Sequence, residues 1–389
     1  MKPVRNAPSV LPTSLRFIAS RLAHRAKVSR QASGQFGPDL SSVVAALSSL
    51  SEHVLRFDKI VVSAKQVDWL DAELNLSEGT AMTLIANGKV FASRPLDVAF
   101  GPQVGLWYRI GSGAASKMVG HASTFLVESG GRLDLVAKPP GEFLDRDGTF
   151  DPQEKRRGLS GEFAVIIIQW RGDPVPALQA AAEAYPDLFS EGLSRLQQPR
   201  HPPQGWHYLW RLGQGEIFSP GAHDKSEVCC HTRSDVGILQ FPMDVPLTPE
   251  TTVNWSWMVE QLPSRLAEHT EPTHDYLSLA VEFDNGLDLT WMWSASLPMD
   301  TIFQCPLAWW KHRETHWVIR NDPRELGQWL EESRNLSQDY EKAIGGGMPK
   351  RIVAVWLIAN TIFQRGEGKC QYRSIRLLDG DAEYPVAQA

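Results

Sequence analysis

Cysteine is scarce in this sequence, with four residues among 389: Cys229, Cys230, Cys305 and Cys370. Two of them are adjacent and do not pair readily, and no C-x-x-C occurs. The spacing therefore predicts neither a disulfide framework nor a zinc site. Few cysteines without a pattern are typical of a reducing compartment, and we expect a cytoplasmic protein.

Several other features are also missing. No run of roughly 18 apolar residues occurs, so no membrane span is predicted. The sequence has no G-x-x-x-x-G-K-[ST], no G-x-G-x-x-G between a strand and a helix, and no G-x-S-x-G. These absences argue against nucleotide hydrolysis, Rossmann redox chemistry and α/β-hydrolase chemistry, and we expect no organic cofactor. A net charge of −6, mixed along most of the chain, gives no basic face for nucleic acid.

The N-terminus is the exception to this mixing, since residues 1–38 carry seven Lys or Arg and no acid. Leu15, Ile18, Leu22 and Ala26 lie there at helical spacing. We interpret residues 1–53 as a basic arm, helical or partly disordered, through which the chain could dock on a partner or form a homo-oligomer.

From residue 54 the pattern changes to short alternating runs bounded by Gly, Pro, Asp and Asn, which predicts a β-sandwich over 54–172. An Ala- and Leu-rich stretch followed by a Pro-rich break predicts a helical linker over 173–205. Eight further strand patterns over 206–389 suit a jelly-roll-like sandwich. The predicted fold is therefore mainly β, with two sandwiches joined by a helical linker.

The first sandwich resembles a known family. The stretches "GTAMTLIANG", "GRLDLVA" and "GEFAVIII", within about residues 54–170, are similar to strands of the galactose-binding bacterial lectin-like sandwich. In that family a calcium ion in the loop before the last strand binds the sugar. The resemblance thus implies a calcium-dependent sugar site in the corresponding loop of this chain.

That loop reads "PPGEFLDRDGTFDPQEKRRGLSG" and contains Asp145, Asp147, Asp151 and Glu154. Calcium prefers six to eight oxygen ligands, and a glycine between carboxylates lets the backbone curl around the ion. However, the paired asparagines of the lectin loop are absent, and Lys155, Arg156 and Arg157 offset the carboxylate charge. A purely structural loop and a vestigial site remain alternatives to bound calcium.

The second half, from about Trp206 to Gly380, resembles an uncharacterised bacterial β-sandwich domain family. The stretches that carry this resemblance include "VNWSWMVEQLP", "HDYLSLAVEF", "LTWMWS", "WWKHRETH" and "RIVAVWLIANT". The resemblance implies a jelly-roll-like fold similar to carbohydrate-binding sandwiches. It implies no reaction, because the family is itself of unknown function.

Strand alternation sorts residues of this second half into faces. In "YLSLAVEFD" the polar face carries Tyr276, Ser278, Ala280 and Glu282. If the tryptophan pairs Trp255/Trp257 and Trp291/Trp293 line that same polar face, the sheet presents an aromatic platform for a sugar or another flat ring. The alternative is that these four tryptophans belong to the core.

The stretch "LAWWKHRETHW" (307–317) places His312, Glu314 and His316 at alternate positions, with Arg313 on the other side. Two imidazoles around a carboxylate can act as acid and base near neutral pH, and H-x-E-x-H can also supply metal ligands. A structural role is equally open. Further polar residues could converge with them, and we include these as candidates: His207, Asp275, Arg365 and Tyr372.

Our first functional hypothesis is a cofactor-independent acid/base enzyme, a lyase of the dehydratase or decarboxylase type, acting on a sugar derivative or a carboxylated aromatic. His312 and His316 would act as acid or base with Glu282 or Asp275 as partner. Arg313 or Arg365 would bind a carboxylate. The alternative is a non-catalytic carbohydrate-binding protein with two lectin-like modules, and a third hypothesis is a structural or partner-binding protein that uses the basic arm.

Overall fold

The computed structural model describes residues 10–16, 18–19, 38–94, 98–118, 120–139, 143, 147–150, 158–198, 201–211, 216–222, 224, 226–307, 310–364 and 366–386. The chain divides into two compact units. We call Arg16–Arg200 the N-terminal unit, and His201–Ala389 together with Met1–Leu15 the C-terminal unit. Within the described residues, no helix has both the length and the apolar character needed to cross a membrane.

Within the described residues, the N-terminal unit contains nine strands. They are β1 (Val54–Ser63), β2 (Leu70–Leu76), β3 (Ala81–Ser93), β4 (Val98–Phe100), β5 (Leu106–Ile110), β6 (Ser116–Lys117), β7 (Ala122–Leu126), β8 (Gly131–Ala137) and β9 (Ser160–Trp170). One sheet has the order β1-β9-β3-β4 with β7 also paired to β3, and the other has the order β2-β8-β5-β6. Apolar side chains of both sheets form one core, which confirms the predicted sandwich.

As far as the structure describes residues 38–198, the helices of this unit are α1 (Leu40–Ser49), α2 (Pro102–Gly105), α3 (Val175–Ala184) and α4 (Pro186–Gln197). α1 begins where the Asp39 carboxylate accepts a hydrogen bond from the backbone N–H of Ser41. Apolar residues of α1, α3 and α4 pack on β3 and β9 in a second core. The segment predicted as a helical linker is therefore helical, and its two helices are part of the N-terminal unit.

The part of the C-terminal unit that the structure describes contains thirteen strands. They are β10 (His207–Arg211), β11 (Phe218–Pro220), β12 (Val228–Arg233), β13 (Val236–Pro246), β14 (Thr252–Gln261), β15 (Tyr276–Phe283), β16 (Asp288–Trp293), β17 (Ile302–Gln304), β18 (Glu314–Arg320), β19 (Leu330–Asn335), β20 (Arg351–Asn360), β21 (Glu367–Asp379) and β22 (Ala382–Pro385). Its described residues also include a helix α5 (Leu336–Ala343), two short 3₁₀ helices, Glu271–Thr273 and Pro323–Glu325, and the helical residues 10–15.

These strands form a seven-stranded sheet, β10-β13-β20-β15-β16-β18-β17, and a six-stranded sheet, β11-β12-β21-β14-β19 with β22 on β21. The stretch "DPRELGQWLEESRNLSQDYEKAIG", interpreted from its sequence as one helix or long loop, is instead a 3₁₀ turn, strand β19 and then α5. The main core lies between the two sheets. The architecture is mainly β and sandwich-like, as predicted.

The seven-stranded sheet has an inner face toward this core and an outer face. On β15 the inner face carries Leu277, Leu279, Val281 and Phe283. The outer face carries Tyr276, Ser278, Ala280 and Glu282, as alternation predicts. It is covered by the segments before β15 and after β16, whose apolar side chains pack on Tyr276, Ala280 and Met292 in a further core. The outer face is therefore largely buried.

Candidate metal centre

Four potential metal ligands meet under this cover: His274, Cys305, Glu314 and His316. Each offers one ligand atom, and these atoms all lie within 4.8 Å of one another. All four side chains are buried. Among the residues that the structure describes, this is the only group of three or more His, Cys, Asp or Glu residues with such an arrangement.

The topology explains why residues so far apart in the chain converge. β18 runs parallel to β16 and antiparallel to β17, and it places Glu314 and His316 at alternate positions on the outer face. Cys305 directly follows β17, where its N–H donates to the carbonyl of Glu314 (3.1 Å). His274 directly precedes β15 and lies above the same part of the sheet, with its ring 4.9 Å from that of His316.

His274 has the hydrogen bonding expected of a metal ligand. Its Nδ1 lies 2.7 Å from the backbone carbonyl of Glu268, which can only accept, so Nδ1 carries the proton. Nε2 therefore carries the free lone pair of the ring, and it lies 3.4 Å from Cys305 Sγ. Burial, followed by the neighbouring His316, lowers the pKa of His274 to about 3, so the imidazole is neutral at pH 7. A backbone carbonyl that orients a neutral histidine is the usual outer-shell arrangement at metal sites.

Glu314 is held as a carboxylate. Its Oε1 accepts a hydrogen bond from the Tyr276 hydroxyl (2.9 Å), and the Thr290 hydroxyl lies 3.5 Å away. Burial by itself raises the pKa of Glu314, but the imidazole of His316, whose Nε2 lies 3.5 Å from the carboxylate, and then that of His274 bring it down to about 2. An anionic oxygen ligand is thus available at neutral pH.

His316 is the least satisfied member of the group. Neither ring nitrogen has a hydrogen-bond partner among the described residues, although the side chain is fully buried. Nε2 lies 3.5 Å from Glu314 Oε1, and the ring stacks on Phe303 at a centroid distance of 4.9 Å. A buried polar group without a partner costs about 1–3 kcal/mol. Binding a metal ion through one nitrogen would remove part of that cost.

The donor set of two nitrogens, one sulfur and one oxygen fits zinc better than calcium or magnesium, which prefer oxygen ligands alone. Zinc bonds of about 2.0–2.3 Å in a tetrahedron place neighbouring ligand atoms about 3.3–3.8 Å apart. The His274–Cys305 and His316–Glu314 distances, 3.4 and 3.5 Å, already lie in this range. Burial, and next the Glu314 carboxylate, raise the pKa of the Cys305 thiol well above its ordinary value, so metal binding there would displace the thiol proton.

A series of polar and charged side chains leads from this cluster to the surface. The Thr290 hydroxyl donates to Asp288 Oδ2 (3.1 Å), and Arg313 Nε lies 3.8 Å from Asp288 Oδ1. Arg313 also donates to Glu282 Oε1 (3.1 Å), and both of these side chains are partly exposed. Arg313 therefore pairs with protein carboxylates in this structure, and the predicted role of binding a ligand carboxylate has no support from its contacts.

The predicted aromatic platform is wrong. All four of its tryptophans lie in the core between the two sheets, almost without exposure: Trp255, Trp257, Trp291 and Trp293. They pack against one another with ring centroids 5.7–6.1 Å apart. Alternation correctly put Trp291 and Trp293 on one face, but it is the inner face, because the large rings are needed to fill the space between the sheets.

The predicted catalytic residues do not gather in one open hollow either. His312 is exposed in the turn before β18, while His316 is buried in the cluster. Asp275 is buried and accepts hydrogen bonds from the backbone N–H groups of Phe363 and Gln364, which gives it a structural role. Burial raises the pKa of Asp275 to about 7.

The remaining candidates are dispersed. His207 is exposed and pairs with Gln240 (3.0 Å). Tyr372 lies in the core, where its hydroxyl donates to the carbonyl of Ser278 (3.2 Å). Tyr276 is the predicted binding residue that does reach the cluster, through Glu314. Arg365 lies outside the described residues.

Most of the predicted calcium loop, with Asp145, Asp151 and Glu154, also lies outside the described residues. Asp147 is described, and its backbone carbonyl accepts a hydrogen bond from Arg109 (3.3 Å). The calcium site therefore stays a prediction.

Sequence reasoning found half of the cluster. H-x-E-x-H identified Glu314 and His316 as possible metal ligands, but His274 and Cys305 were missed. Both lie in irregular segments next to strand ends, with no short spacing to the other ligands. The sequence places His274 and Cys305 beside predicted strands. It does not show which strands are neighbours, so it does not predict that β15, β17 and β18 bring the four ligands together.

Solved structures with low similarity to this chain include carbohydrate-related proteins. The N-terminal domain of EclA, a PllA-like lectin, is 20% identical and covers 30% of this chain and 98% of its own, with a TM-score of 0.24. The xyloglucanase domain of NopAA, a type three effector from Sinorhizobium fredii, is 9% identical and covers 46% and 94%, with a TM-score of 0.29. A carbohydrate-binding module of the β-sandwich superfamily is 9% identical and covers 79% and 100%, with a TM-score of 0.24.

No curated protein sequence matches the chain. One protein family does match its C-terminal region, and the matched segment contains all four members of the cluster. Residues 214–376 are similar to the family described as a protein of unknown function, DUF3047.

Proposed function

We propose that the C-terminal unit binds one divalent transition-metal ion, zinc in first place, through His274, Cys305, Glu314 and His316. The observation that supports this most directly is the convergence of four buried donor atoms within 4.8 Å. The neutral His274 with its oriented lone pair and the unpartnered His316 add to it. A buried cluster of this kind without an ion would leave polar groups unsatisfied at a cost to stability.

The proposed role of the ion is structural. Four protein ligands complete the tetrahedral shell of zinc, whereas catalytic sites keep one position for water. The ligands come from the segment before β15, the end of β17 and the start of β18, so the ion would attach the irregular cover to the outer face of the sheet. An ion present at about 1,000 times its dissociation constant would stabilise the folded state by about 4 kcal/mol.

Metal content and thermal stability test this proposal. The full-length protein, stripped with a strong chelator and then given zinc, should bind about one ion per chain and unfold at a clearly higher temperature. Cys305→Ser and His316→Gln should each lose most of the bound zinc and of the thermal gain. Cys229→Ser and His207→Gln, which change the same residue types away from the cluster, should behave as the wild type.

Cobalt substitution is a second, spectroscopic test of the same site. A thiolate ligand produces a sulfur-to-cobalt charge-transfer band in the near ultraviolet, which Cys305→Ser should abolish and Cys229→Ser should keep. Folded wild-type protein that takes up no zinc or cobalt above the level of Cys305→Ser would refute the proposal.

A second proposal concerns the N-terminal unit, which we infer to bind carbohydrate. It is favoured by the sequence resemblance of residues 54–170 to a galactose-binding lectin-like sandwich, in a region whose two sheets share one core. Binding to immobilised galactosides, lost on calcium chelation and weakened in Asp147→Asn, would support it. Binding that survives chelation would separate sugar recognition from the predicted calcium loop, and no binding to a broad glycan panel would count against the proposal.

The acid/base lyase hypothesis has lost its geometric basis. It required His312 and His316, with Glu282 or Asp275 as partner, to face one cleft. His312 is exposed in a turn, His316 and Asp275 are buried, and Glu282 pairs with Arg313. Carbohydrate binding by the N-terminal unit and metal binding by the C-terminal unit therefore replace it as the functions to test.

A further inference from the structure

The six-stranded sheet brings two distant cysteines together. Cys230 on β12 and Cys370 on β21 are direct partners in an antiparallel ladder. Both side chains face the core between the sheets and are almost completely buried, whereas Cys229 is partly exposed on the opposite face. Both cysteines are free thiols in this structure. They are separate from the metal centre, which uses Cys305 and lies on the other sheet.

The ladder determines how far apart the two backbones are. The N–H of Ser234 donates to the carbonyl of Gly366, which makes the pair Arg233/Glu367 non-hydrogen-bonded. Because the two pair types alternate, Cys230/Cys370 is a hydrogen-bonded pair, whose Cα atoms lie about 5.5 Å apart in such ladders. Disulfides most often join Cα atoms about 5.5–6 Å apart. This Cα spacing lies within the range that disulfides span, but facing Cβ atoms in such a pair lie up to about 5.5 Å apart and have to approach to about 4.5 Å or less.

Both thiols are buried in the protonated form, so the attacking thiolate has to form while the edge of the sheet is open. Burial, and after it the thiol of Cys370, raise the pKa of Cys230 well above its ordinary value. β11, which borders β12 at the edge of the sheet, has only three residues, Phe218–Pro220. A short edge strand opens locally more easily than a central one, which gives a reagent access to β12.

We infer that Cys230 and Cys370 form a thiol–disulfide site that reacts with a low-molecular-weight disulfide such as oxidised glutathione. The Cys230 thiolate attacks one sulfur of the reagent and displaces one glutathione thiolate, which leaves a mixed disulfide on Cys230. The Cys370 thiolate then attacks the Cys230 sulfur and displaces the second glutathione. The two protein thiols lose two electrons and two protons in total, and the reagent is reduced to two thiols.

The linkage would stabilise the folded protein. It joins positions that are far apart in the chain, so it restricts the unfolded chain over a long loop. Bringing the two Cβ atoms to disulfide distance offsets part of this gain. Oxidised protein should therefore unfold at a higher temperature than reduced protein.

The test is refolding of the zinc-loaded full-length chain in a series of glutathione redox buffers, followed by acid quenching, alkylation and peptide mapping. The expected result is one dominant linkage, Cys230–Cys370, two hydrogens lighter than the reduced pair, in protein that keeps its fold and melts at a higher temperature. Cys229→Ser should form the same linkage, whereas Cys230→Ser and Cys370→Ser should each abolish both the linkage and the thermal gain.

Two results would overturn the inference. One is that wild-type protein stays folded across the whole series while all four cysteines remain alkylatable. The other is that linkages through Cys229 or Cys305 form in equal yield. Both are read from the wild type, so the test does not depend on the variants being stable.

Discussion

The two faces of the seven-stranded sheet obey the same alternation but have different environments. The inner face is filled by aliphatic side chains and tryptophans that pack on the six-stranded sheet. The outer face combines carboxylates, a tyrosine and a histidine with apolar residues such as Met292 and Val318, and lies under irregular chain. Alternation determines which residues share a face. It does not determine what covers that face, and here most of a partly polar face is buried as well.

The difference between the two faces indicates which of them can bind a ligand. The inner face is stabilised by packing. Aromatic rings fill the space between the sheets and bring few polar atoms that need hydrogen-bond partners. The outer face has to satisfy charged and polar groups away from water, and it does so with hydrogen bonds around Glu314 and His274 and a near contact at His316. A buried polar group that cannot complete its bonds within the protein is a candidate for binding something else.

The largest expected effect comes from breaking the inner face. Trp293 is fully buried, with its ring centroid 5.8 Å from that of Trp257. Trp293→Ala should reduce the free energy of unfolding by about 3–5 kcal/mol, the usual range for a buried tryptophan, measured by urea unfolding. Met299→Ala, at an exposed apolar side chain, is the control and should change it by less than about 0.5 kcal/mol.

A small loss for Trp293→Ala would contradict the assignment of this face to the core. It would return the tryptophans to the role of a surface platform, and ligand binding rather than stability should then be affected. The variant therefore discriminates between the two interpretations of the same strand pattern.

A smaller effect is expected on the outer face, where it appears as a change in the pH dependence of the free energy of unfolding. The pKa of His274 is lowered by burial to about 3 from an unfolded value of 6.5. A histidine that stays neutral in the folded state gives its full stabilisation above pH 6.5, and this is lost as the pH falls toward 3. In metal-free protein, the wild type should therefore lose about 2 kcal/mol relative to His274→Gln between pH 7 and pH 5.

The comparison with the variant is needed because two neighbouring carboxyl groups act in the opposite direction. Burial raises the pKa values of Glu268 and Asp275 to about 7, so both favour the folded state at low pH. They are present in both proteins and largely cancel in the difference. His207→Gln, at an exposed histidine, should run parallel to the wild type, and a parallel His274→Gln curve would show that this ring is not buried in a neutral form.

Arg313 should have a more modest effect, since it lies where the outer face meets solvent. It pairs with Glu282 and approaches the buried Asp288. Burial and then the Glu314 carboxylate raise the pKa of Asp288 well above its ordinary value, against the effect of Arg313. Arg313→Gln should cost about 1–2 kcal/mol at neutral pH by urea unfolding, less than a fully buried pair because Arg313 is partly exposed.

The matched control for Arg313 is Arg324→Gln, at a well-exposed ion pair with Asp322, which should leave the free energy of unfolding nearly unchanged. Equal losses for the two variants would mean that Arg313 does not support the buried carboxylates. Zinc uptake should be retained in both, because neither arginine is a proposed ligand.

The sequence predicted the two sandwiches, most strands and the outer-face set on β15, because strand periodicity is local information. It also identified Glu314 and His316 as a pair. It could not show that His274 and Cys305 join them, since that depends on which strands are neighbours. It left open whether the tryptophans line a binding surface or fill the core, because periodicity does not show which face of a strand meets the other sheet.

The smallest expected effect separates two histidines that stand four positions apart in the chain. The N–H groups of Arg313 and Glu314 both donate to the carbonyl of Trp310, so a turn ends just where β18 begins. His312 is therefore exposed in the turn, while His316 is carried into the buried cluster by the strand. His312→Ala should change the free energy of unfolding by less than about 0.5 kcal/mol and leave zinc uptake intact. A loss of zinc in His312→Ala equal to that in His316→Gln would mean that the strand extends through residue 312, as simple alternation would have it, and that the ligand set has been chosen wrongly.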